Sequence, residues 1–289
     1  MKLLNTLCDV GIFQIQYRLR YEIRKIIDKI LPLRLKIYLV GYRKKESVWK
    51  NSNSQPSLGI KLPKRNKFKL KNISFKFLNE ERILNLPFYW NSREWQRLWQ
   101  FNLHYFDWAK QWVKDYFISG FWPKEASNLE FLIDNWIDSN SLGEGDGWHS
   151  YTLSLRIKNW ILLFTLFPEL INQKRIDSLW KQICWLSSHL ENHHAGNHLI
   201  ENLTCLIIAS LNFNNPKALE IRRKSIKSLK HQLKVQILED GGHEERSATY
   251  HLIILERLIE LCIYFDIHKI EIPFWIIETI NKMINWAEI

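Results

Sequence analysis

The stretch QILEDGGHEERSATYHLIILERL, residues 236–258, joins two helical patterns through a Gly-Gly turn and decides the fold class. Apolar side chains recur at three- and four-residue steps on both sides of the turn, which is the spacing of a helix with one buried face. Ser247 has the position of an N-cap for the second helix. This segment is therefore predicted to connect two antiparallel helices.

The same helical pattern fills the sequence after Trp90. Gly, Pro and Asn residues interrupt it at short intervals, and short connections favour antiparallel neighbours. No repeat of fixed period is visible, so an irregular bundle or an α/α toroid is favoured over a regular solenoid. Helices are predicted near residues 93–119, 124–138, 150–167, 173–191, 197–213, 216–237, 248–266 and 273–288.

Residues 1–90 have a different pattern and are predicted to be separate from a domain over 91–289. Apolar residues at helical steps, with Arg and Lys between them, predict an amphipathic helix over 12–31. Its basic face could touch an anionic membrane, although a solvated face is the simpler interpretation. Residues 47–63 are predicted to be a loop, and the alternation in 68–77 predicts a small β-hairpin.

The composition describes a folded, basic protein. With 289 residues, 46% of them hydrophobic, the chain can bury a sizeable core. Its net charge of +11 suits a polyanion such as nucleic acid, anionic lipid or acidic glycan. The basic residues are spread without a recognisable nucleic-acid-binding module, which disfavours nucleic acid. The 14 tryptophans could stack on sugars, but most are expected to fill gaps between helices.

The cysteines and apolar segments point to no metal, export signal or membrane span. Cys8, Cys184, Cys205 and Cys262 lack the spacing of zinc ligands and are interpreted as reduced and mostly buried. Charged residues interrupt the start of the sequence before a secretory signal can form, and no apolar run is long enough to span a bilayer. The default compartment is therefore the cytoplasm.

Polar residues cluster at two predicted helix starts. In HHAGNHLIEN, residues 193–202, Asn197 is predicted to cap a helix that carries His198 and Glu201 on one face. The second cluster, LEDGGHEERSATYHL, covers residues 238–252. In an antiparallel array both helix starts can lie at the same end, so the clusters are expected to meet. Either cluster alone is more typical of helix caps and structural histidines than of a catalytic site. The concentration of Asn, His, Glu, Arg and Tyr around glycines in both clusters favours a functional role.

Four strings resemble the helical domain of heparinase II/III-like and related alginate-type lyases in their order and spacing. They are FNLHYFDW at 101–108, YTLSLRIKNWI at 151–161, NHLIEN at 197–202 and the long string at 236–258. The GGHEERSxxYH part of the last string is the most specific, and the aromatic strings are weaker. The resemblance covers most of the chain from about Trp90 onward.

The resemblance implies β-elimination at a uronic acid without a metal or other cofactor. Asn197 and His198 match the positions that bind and neutralise the uronate carboxylate, and Tyr250 matches the tyrosine that transfers protons. Such donors would stabilise the enolate-like transition state that forms when the C5 proton leaves. Further residues are predicted to bind the substrate: Glu201, Arg246, His243, Trp148, His104 and Tyr105.

The resemblance also implies an all-α fold, an incomplete α/α toroid of antiparallel helical hairpins, with the small β-hairpin before it. In the family a C-terminal β-sandwich follows and completes the site, whereas this sequence stops in a helical pattern at Ile289. The chain is therefore expected to be a polysaccharide lyase-like protein that acts by β-elimination on a uronic-acid-containing acidic polysaccharide. The alternative is a non-catalytic remnant that binds acidic glycan, or a fragment that needs a separate β-sandwich partner. Lyases of this family often act in the periplasm or outside the cell, which leaves the compartment open.

Overall fold

The computed structural model describes residues 12–50, 60–64, 71–192 and 196–288, with side chains from residue 16 onward. Most of this part of the chain is α-helical, and its β-structure is a sheet of two antiparallel strands. The predicted all-α fold with a small β-hairpin is confirmed. Parts of four predictions lie outside the described residues: Cys8, loop residues 51–59, residues 68–70, and residues 193–195 of the first polar cluster.

The predicted amphipathic helix is confirmed as α1, Ile12–Ile30. It is followed by a short helix that the sequence analysis missed, α2, Leu33–Leu39, with Pro32 at its N-cap. Pro is compatible with a helix start because the first amide groups of a helix lack intrahelical acceptors.

The β-hairpin lies later in the sequence than predicted. Strand β1, Asn72–Phe77, pairs with β2, Glu80–Asn85, so residues 72–77 form one strand and not a whole hairpin. Leu78 and Asn79 make the turn, and both have positive φ angles, 54° and 63°. Neither is a glycine, so the usual signal for such a turn was missing from the sequence.

One predicted helix is two helices in the structure. The prediction over 93–119 was wrong because Phe106 has a left-handed backbone, with φ 62°, between α3, Arg97–Tyr105, and α4, Asp107–Ser119. The Phe106 side chain is fully buried and stacks on Trp90, with ring centroids 5.7 Å apart. Packing of the ring therefore offsets the usual cost of a left-handed residue, about 1–2 kcal/mol.

The remaining predicted helices are present, with ends that differ by a few residues. The segment predicted over 124–138 begins with a 3₁₀ turn, Lys124–Asn128. The helices are α5, Leu129–Ser139; α6, Ser150–Leu166; α7, Gln173–Ser188; α8, Asn197–Leu211; α9, Pro216–Gln236; α10, Ala248–Ile267; and α11, Phe274–Ala287.

The chain divides into two compact units. The first unit is Met1–Tyr42 with Cys184–Ile289, and the second unit is Arg43–Ile183. The predicted boundary between residues 90 and 91 stays a prediction. The predicted catalytic residues Asn197, His198 and Tyr250 belong to the first unit, whereas three predicted substrate-binding residues, His104, Tyr105 and Trp148, belong to the second.

Aromatic side chains form much of the core of the second unit. Trp136 packs edge-on against Trp160, with ring centroids 5.6 Å apart, and the Arg156 guanidinium lies 3.8 Å from the Trp136 ring centroid. Across the chain nine of the 14 tryptophans are buried, which confirms that most of them fill the interior.

Helix α8 is the central helix of the first unit. Every residue from Leu199 to Leu211 is buried, and α8 packs against both α9 and α10. Helix α9 is fixed at its start by Asn215, whose side chain accepts a hydrogen bond from the Ala218 amide at 2.7 Å. The first turn of α8 is therefore the start of a helix that is otherwise buried.

Candidate active site

The candidate site begins at the first turn of α8. The helix starts at Asn197, and its N-cap is Gly196, with φ 66° and no side-chain capping hydrogen bond. The prediction that Asn197 caps the helix was therefore wrong. Instead, the Asn197 backbone amide donates to Glu245 Oε1 at 3.4 Å, and its side-chain amide is not used as a cap.

His198 lies next to a buried carboxylate that the sequence analysis did not identify. Its Nδ1 is 3.2 Å from Oε1 of Glu191, whose side chain is only 3% exposed, whereas the His198 side chain is 39% exposed. Asn202 holds Glu191 in place, because its Oδ1 accepts from the Glu191 amide at 3.1 Å and its Nδ2 donates to Glu191 Oε2 at 3.4 Å.

This environment raises the pKa of His198. Burial acts to lower the pKa, but the hydrogen bond to Glu191 and the negative charges of Glu191, Glu245 and Glu201 outweigh it. The result is an imidazole that favours its cationic form and is partly accessible to solvent.

Glu201, one turn after His198, is buried in an ion pair. Arg257 of α10 donates from Nε to Glu201 Oε2 at 2.5 Å. Burial acts to lower the pKa of Arg257, but the charges of Glu201, Glu260 and Glu256 outweigh it, so the pKa is raised. Glu201 therefore links α8 to α10, while its predicted contact with substrate stays a prediction.

The Gly-Gly loop that leads to α10 is tightly packed. Leu238 donates from its amide to the Gly242 carbonyl at 2.8 Å, and Gly241 has φ 92°. A Cβ atom on Gly241 would overlap the carbonyl oxygen of Lys282 in α11, and one on Gly242 would lie 2.7 Å from Nε1 of Trp286. Glycine is therefore required at both positions by the close approach of α11.

His243 is buried and positions Glu245, the residue of the second polar cluster that contacts the first cluster. Its Nδ1 accepts from the Glu245 amide at 3.3 Å, and its Nε2 lies 3.2 Å from Gln236 Oε1. Burial lowers the pKa of His243, with a further contribution from His251, against an opposing effect of Glu245. A neutral imidazole with its proton on Nε2 fits both contacts.

Glu245 brings the two predicted clusters together. It is held by His243, and its carboxylate accepts from the Asn197 amide at 3.4 Å. The loop before α10 therefore contacts the first turn of α8. This contact is the expected meeting of the two polar helix starts.

Tyr250 is in the first turn of α10. The predicted N-cap is confirmed, since Ser247 Oγ accepts from the Tyr250 amide at 3.4 Å. Tyr250 is 40% exposed, so its side chain is accessible. Arg246, just before the cap, is also exposed and has a left-handed backbone with φ 50°.

Contacts with α11 hold the start of α10 in place. His251 is buried, its Nε2 lies 2.9 Å from the Met283 carbonyl oxygen, and its ring centroid is 4.5 Å from that of Trp286. The residue next to Tyr250 is thus anchored, which limits how far Tyr250 can move.

The other three predicted substrate-binding residues belong to the second unit. His104 is fully buried, accepts from Trp136 Nε1 at 2.9 Å, and has its pKa lowered to about 3 by burial and by the charge of Arg156, despite a backbone hydrogen bond. Trp148 is buried against Trp136, and Tyr105 packs edge-on against Tyr151. All three have packing roles here, and their contact with substrate stays a prediction.

Sequence reasoning missed four residues that shape the site: Glu191, Asn202, Glu245 and Arg257. Asn202, Glu245 and Arg257 were inside the quoted strings without an assigned role. A signal for Glu191 exists only in retrospect, as an acidic residue at the end of a predicted helix. Arg257 is two turns after Tyr250 in an apolar run. A basic residue in such a run is a signal for a buried ion pair.

The described ranges contain neither a metal-ligand cluster nor a membrane-spanning helix. No group of His, Cys, Asp and Glu side chains there has the arrangement of a metal site. In the same part of the chain, no helix combines the length and apolar character needed to cross a bilayer.

Several solved structures have a fold similar to that of this chain. A heparinase III described as the BT4657 gene product with methylated lysines is 20% identical, with a TM-score of 0.61, over 81% of this chain and 42% of that one. The heparan sulfate lyase HepC from Pedobacter heparinus is 19% identical, with a TM-score of 0.56, over 71% and 34%. Another heparinase III is 21% identical, with a TM-score of 0.54, over 68% and 32%.

At these identities the likeness is one of fold, and the chain spans less than half the length of each of these proteins. No curated protein matches the sequence. The family model described as Heparinase II/III N-terminus matches residues 42–288, which is most of the chain. The chain therefore belongs to the heparinase II/III N-terminal family.

Proposed function

We propose that this chain is the helical domain of a polysaccharide lyase that cleaves a uronate-containing acidic polysaccharide by β-elimination. Asn197 and His198 hold the uronate carboxylate, and Tyr250 transfers the protons. The observation that carries the proposal is the contact between His198 and buried Glu191, which favours a cationic imidazole at an accessible helix start.

A cation is needed because of the charge that develops during the reaction. When the C5 proton leaves, its electron pair forms the C4=C5 bond, and the bond from C4 to the leaving O4 breaks. In the transition state a second negative charge builds on the uronate carboxylate. A preorganised donor at such a position contributes about 3–4 kcal/mol, which is the role proposed for the His198 imidazolium and the Asn197 side-chain amide.

Tyr250 is proposed to take the C5 proton or to donate a proton to O4. Proton transfer by a positioned side chain contributes roughly 10²- to 10⁴-fold to the rate. The Ser247 cap and the anchoring of His251 support this role, because they fix the backbone on both sides of an accessible phenol.

Glu201, Arg246 and His243, with His104, Tyr105 and Trp148 of the second unit, remain proposed contributors to substrate binding. His243 and Glu201 are buried, so their support for the proposal is indirect. His243 positions Glu245, and Glu201 contributes to the raised pKa of His198.

The test is the ultraviolet absorbance of the unsaturated uronate product when the purified chain is incubated with heparan sulfate or alginate. Tyr250→Phe is expected to keep the fold and lose about 10²- to 10⁴-fold of the rate. Tyr38→Phe is the matched control, because Tyr38 is an exposed tyrosine of α2 outside the cluster. Full activity of Tyr250→Phe would rule out the proposed role.

The Asn197→Ala variant distinguishes a role of Asn197 in catalysis from a role in stability. Because Gly196 and not Asn197 is the N-cap, the variant is expected to lose activity without the roughly 1 kcal/mol that loss of a cap costs. Thermal unfolding measures the second part of this expectation.

The second candidate is a glycan-binding chain whose site is completed by a separate β-sandwich partner. It accommodates the observation that the matched part of each of these solved structures is less than half of its length. Saturable binding of heparan sulfate without new absorbance would support it. Absorbance that appears only when a β-sandwich chain is added would then identify the partner.

A further inference from the structure

Helix α1 carries an apolar stripe on its outer surface. Leu19, Ile23, Ile26, Ile27 and Ile30 follow one another at steps of three, four and one residues. At 3.6 residues per turn these positions fall within about 100° of the helix circumference. All five side chains are exposed, and Ile30 reaches 75%.

The opposite face of α1 is attached to the first unit through polar groups. Asp28 Oδ2 lies 2.9 Å from His189 Nε2, and Arg24 Nε is 3.2 Å from the same nitrogen. His189 in turn stacks on Trp185, with ring centroids 3.9 Å apart. A helix on the surface of a globular domain normally buries its apolar face, so the orientation of α1 is the reverse of the usual one.

Basic side chains flank the stripe. On a helical projection Arg18, Lys25 and Lys29 lie along one edge together with Glu22, whose Oε2 is 3.9 Å from Lys25 Nζ, and Arg20 lies along the other edge. Residues 12–39 contain seven Lys and Arg residues and only two acidic residues, Glu22 and Asp28. An exposed apolar stripe between basic edges is the arrangement of helices that lie in the surface of an anionic bilayer.

Helix α2 extends the apolar surface. Its exposed large side chains are Leu33, Leu35, Tyr38 and Leu39. Tyr38 has an apolar ring with a polar tip, which suits the boundary between lipid headgroups and acyl chains.

We propose that α1 and α2 bind this protein to the surface of an anionic lipid bilayer, with the stripe among the acyl chains and the basic edges on the headgroups. The charge pattern favours lipid over a second copy of the chain, because a symmetric contact through the stripe would bring like-charged edges together. The proposal is independent of the lyase site, since none of the stripe residues belongs to it.

Flotation of the full chain with lipid vesicles tests the proposal. Binding is expected to vesicles that contain phosphatidylglycerol, to be weaker to pure phosphatidylcholine, and to fall as salt is added. Ile26→Asp/Ile30→Asp is expected to lower the partition coefficient at least tenfold for each residue, because burial of each isoleucine is lost. Arg18→Gln/Lys25→Gln is expected to lower it about fivefold for each charge removed.

Ile118→Asp is the matched control, because Ile118 is an 84% exposed isoleucine of α4 and is expected to leave vesicle binding unchanged. Far-UV circular dichroism shows that each variant is folded. Equal binding by the wild type and the Ile26→Asp/Ile30→Asp variant overturns the proposal. The proposal is also overturned if neither protein binds vesicles and the wild type forms a dimer in analytical ultracentrifugation that the Ile26→Asp/Ile30→Asp substitutions dissociate. The stripe would then join two copies of the chain.

Discussion

The ion pair between Arg257 and Glu201 allows a quantitative test of the structure. Arg257 is 15% exposed in its side chain and Glu201 only 1%, and Arg257 also lies 3.3 Å from Glu256 and 3.5 Å from Glu260. Arg257→Met keeps most of the apolar stem but removes the cation that three carboxylates share. Removing one partner of a buried pair costs about 3–5 kcal/mol.

The free energy of unfolding is measured by urea denaturation followed by circular dichroism. For a domain of this size the same loss lowers the melting temperature by about 6–20 °C, at roughly 2–4 °C for each kcal/mol. Arg223→Met in α9 is the control, because an exposed arginine outside such a network is expected to change stability by no more than about 0.5 kcal/mol.

The double variant Glu201→Met/Arg257→Met distinguishes a lost ion pair from lost packing. Replacing both charges with apolar side chains of similar size is often nearly neutral, so the double variant is expected to recover most of the stability. If Arg257→Met unfolds like the wild type, or if the double variant is less stable than the single one, the buried pair does not hold α8 to α10 as described.

Two further predictions concern the loop and the imidazole. Glu191→Gln is expected to lower the pKa of His198, as measured by NMR titration. Because the pKa of His198 is raised in the folded protein, the protonated imidazole contributes its full stabilisation below about pH 6.5. This contribution is lost as the pH rises through the pKa of the folded state. A pKa unchanged by the substitution would contradict the assigned contact. Gly241→Ala is expected to cost about 2–5 kcal/mol in urea denaturation, from positive φ and overlap with Lys282, whereas Gly120→Ala, with positive φ and open space around it, should cost only about 1–2 kcal/mol. Equal losses would show that α11 does not restrict the loop.

The fold was predictable where local chemistry determines the backbone. Gly120 ends α4 with φ 76°, Pro216 begins α9, and Ser247 caps α10, and each of these residues is a known helix boundary signal. The break at Phe106 was not predictable in this way. It depends on the burial of its ring against residues far away in the sequence, which no local pattern reports.

The candidate site was predictable as two groups of residues but not as an arrangement. The strings around Asn197 and Tyr250 identified the groups, whereas the pKa of His198 depends on Glu191, which Asn202 holds from inside α8. A sequence shows neither the burial of Glu191 nor its distance from the imidazole. The assignment of Asn197 as a cap failed for a related reason, since Gly196 with its positive φ already provides the helix boundary.

The contacts of α11 with the loop before α10 have a consequence for the order of folding. Gly241, Gly242 and His251 pack against Lys282, Trp286 and Met283, which are synthesised 41, 44 and 32 residues later, respectively. Because a chain leaves the ribosome from its N-terminus, the turn that carries Glu245 cannot take its final shape until α11 has emerged. The loop that contacts the first turn of α8 is therefore completed only after the last described helix has been synthesised.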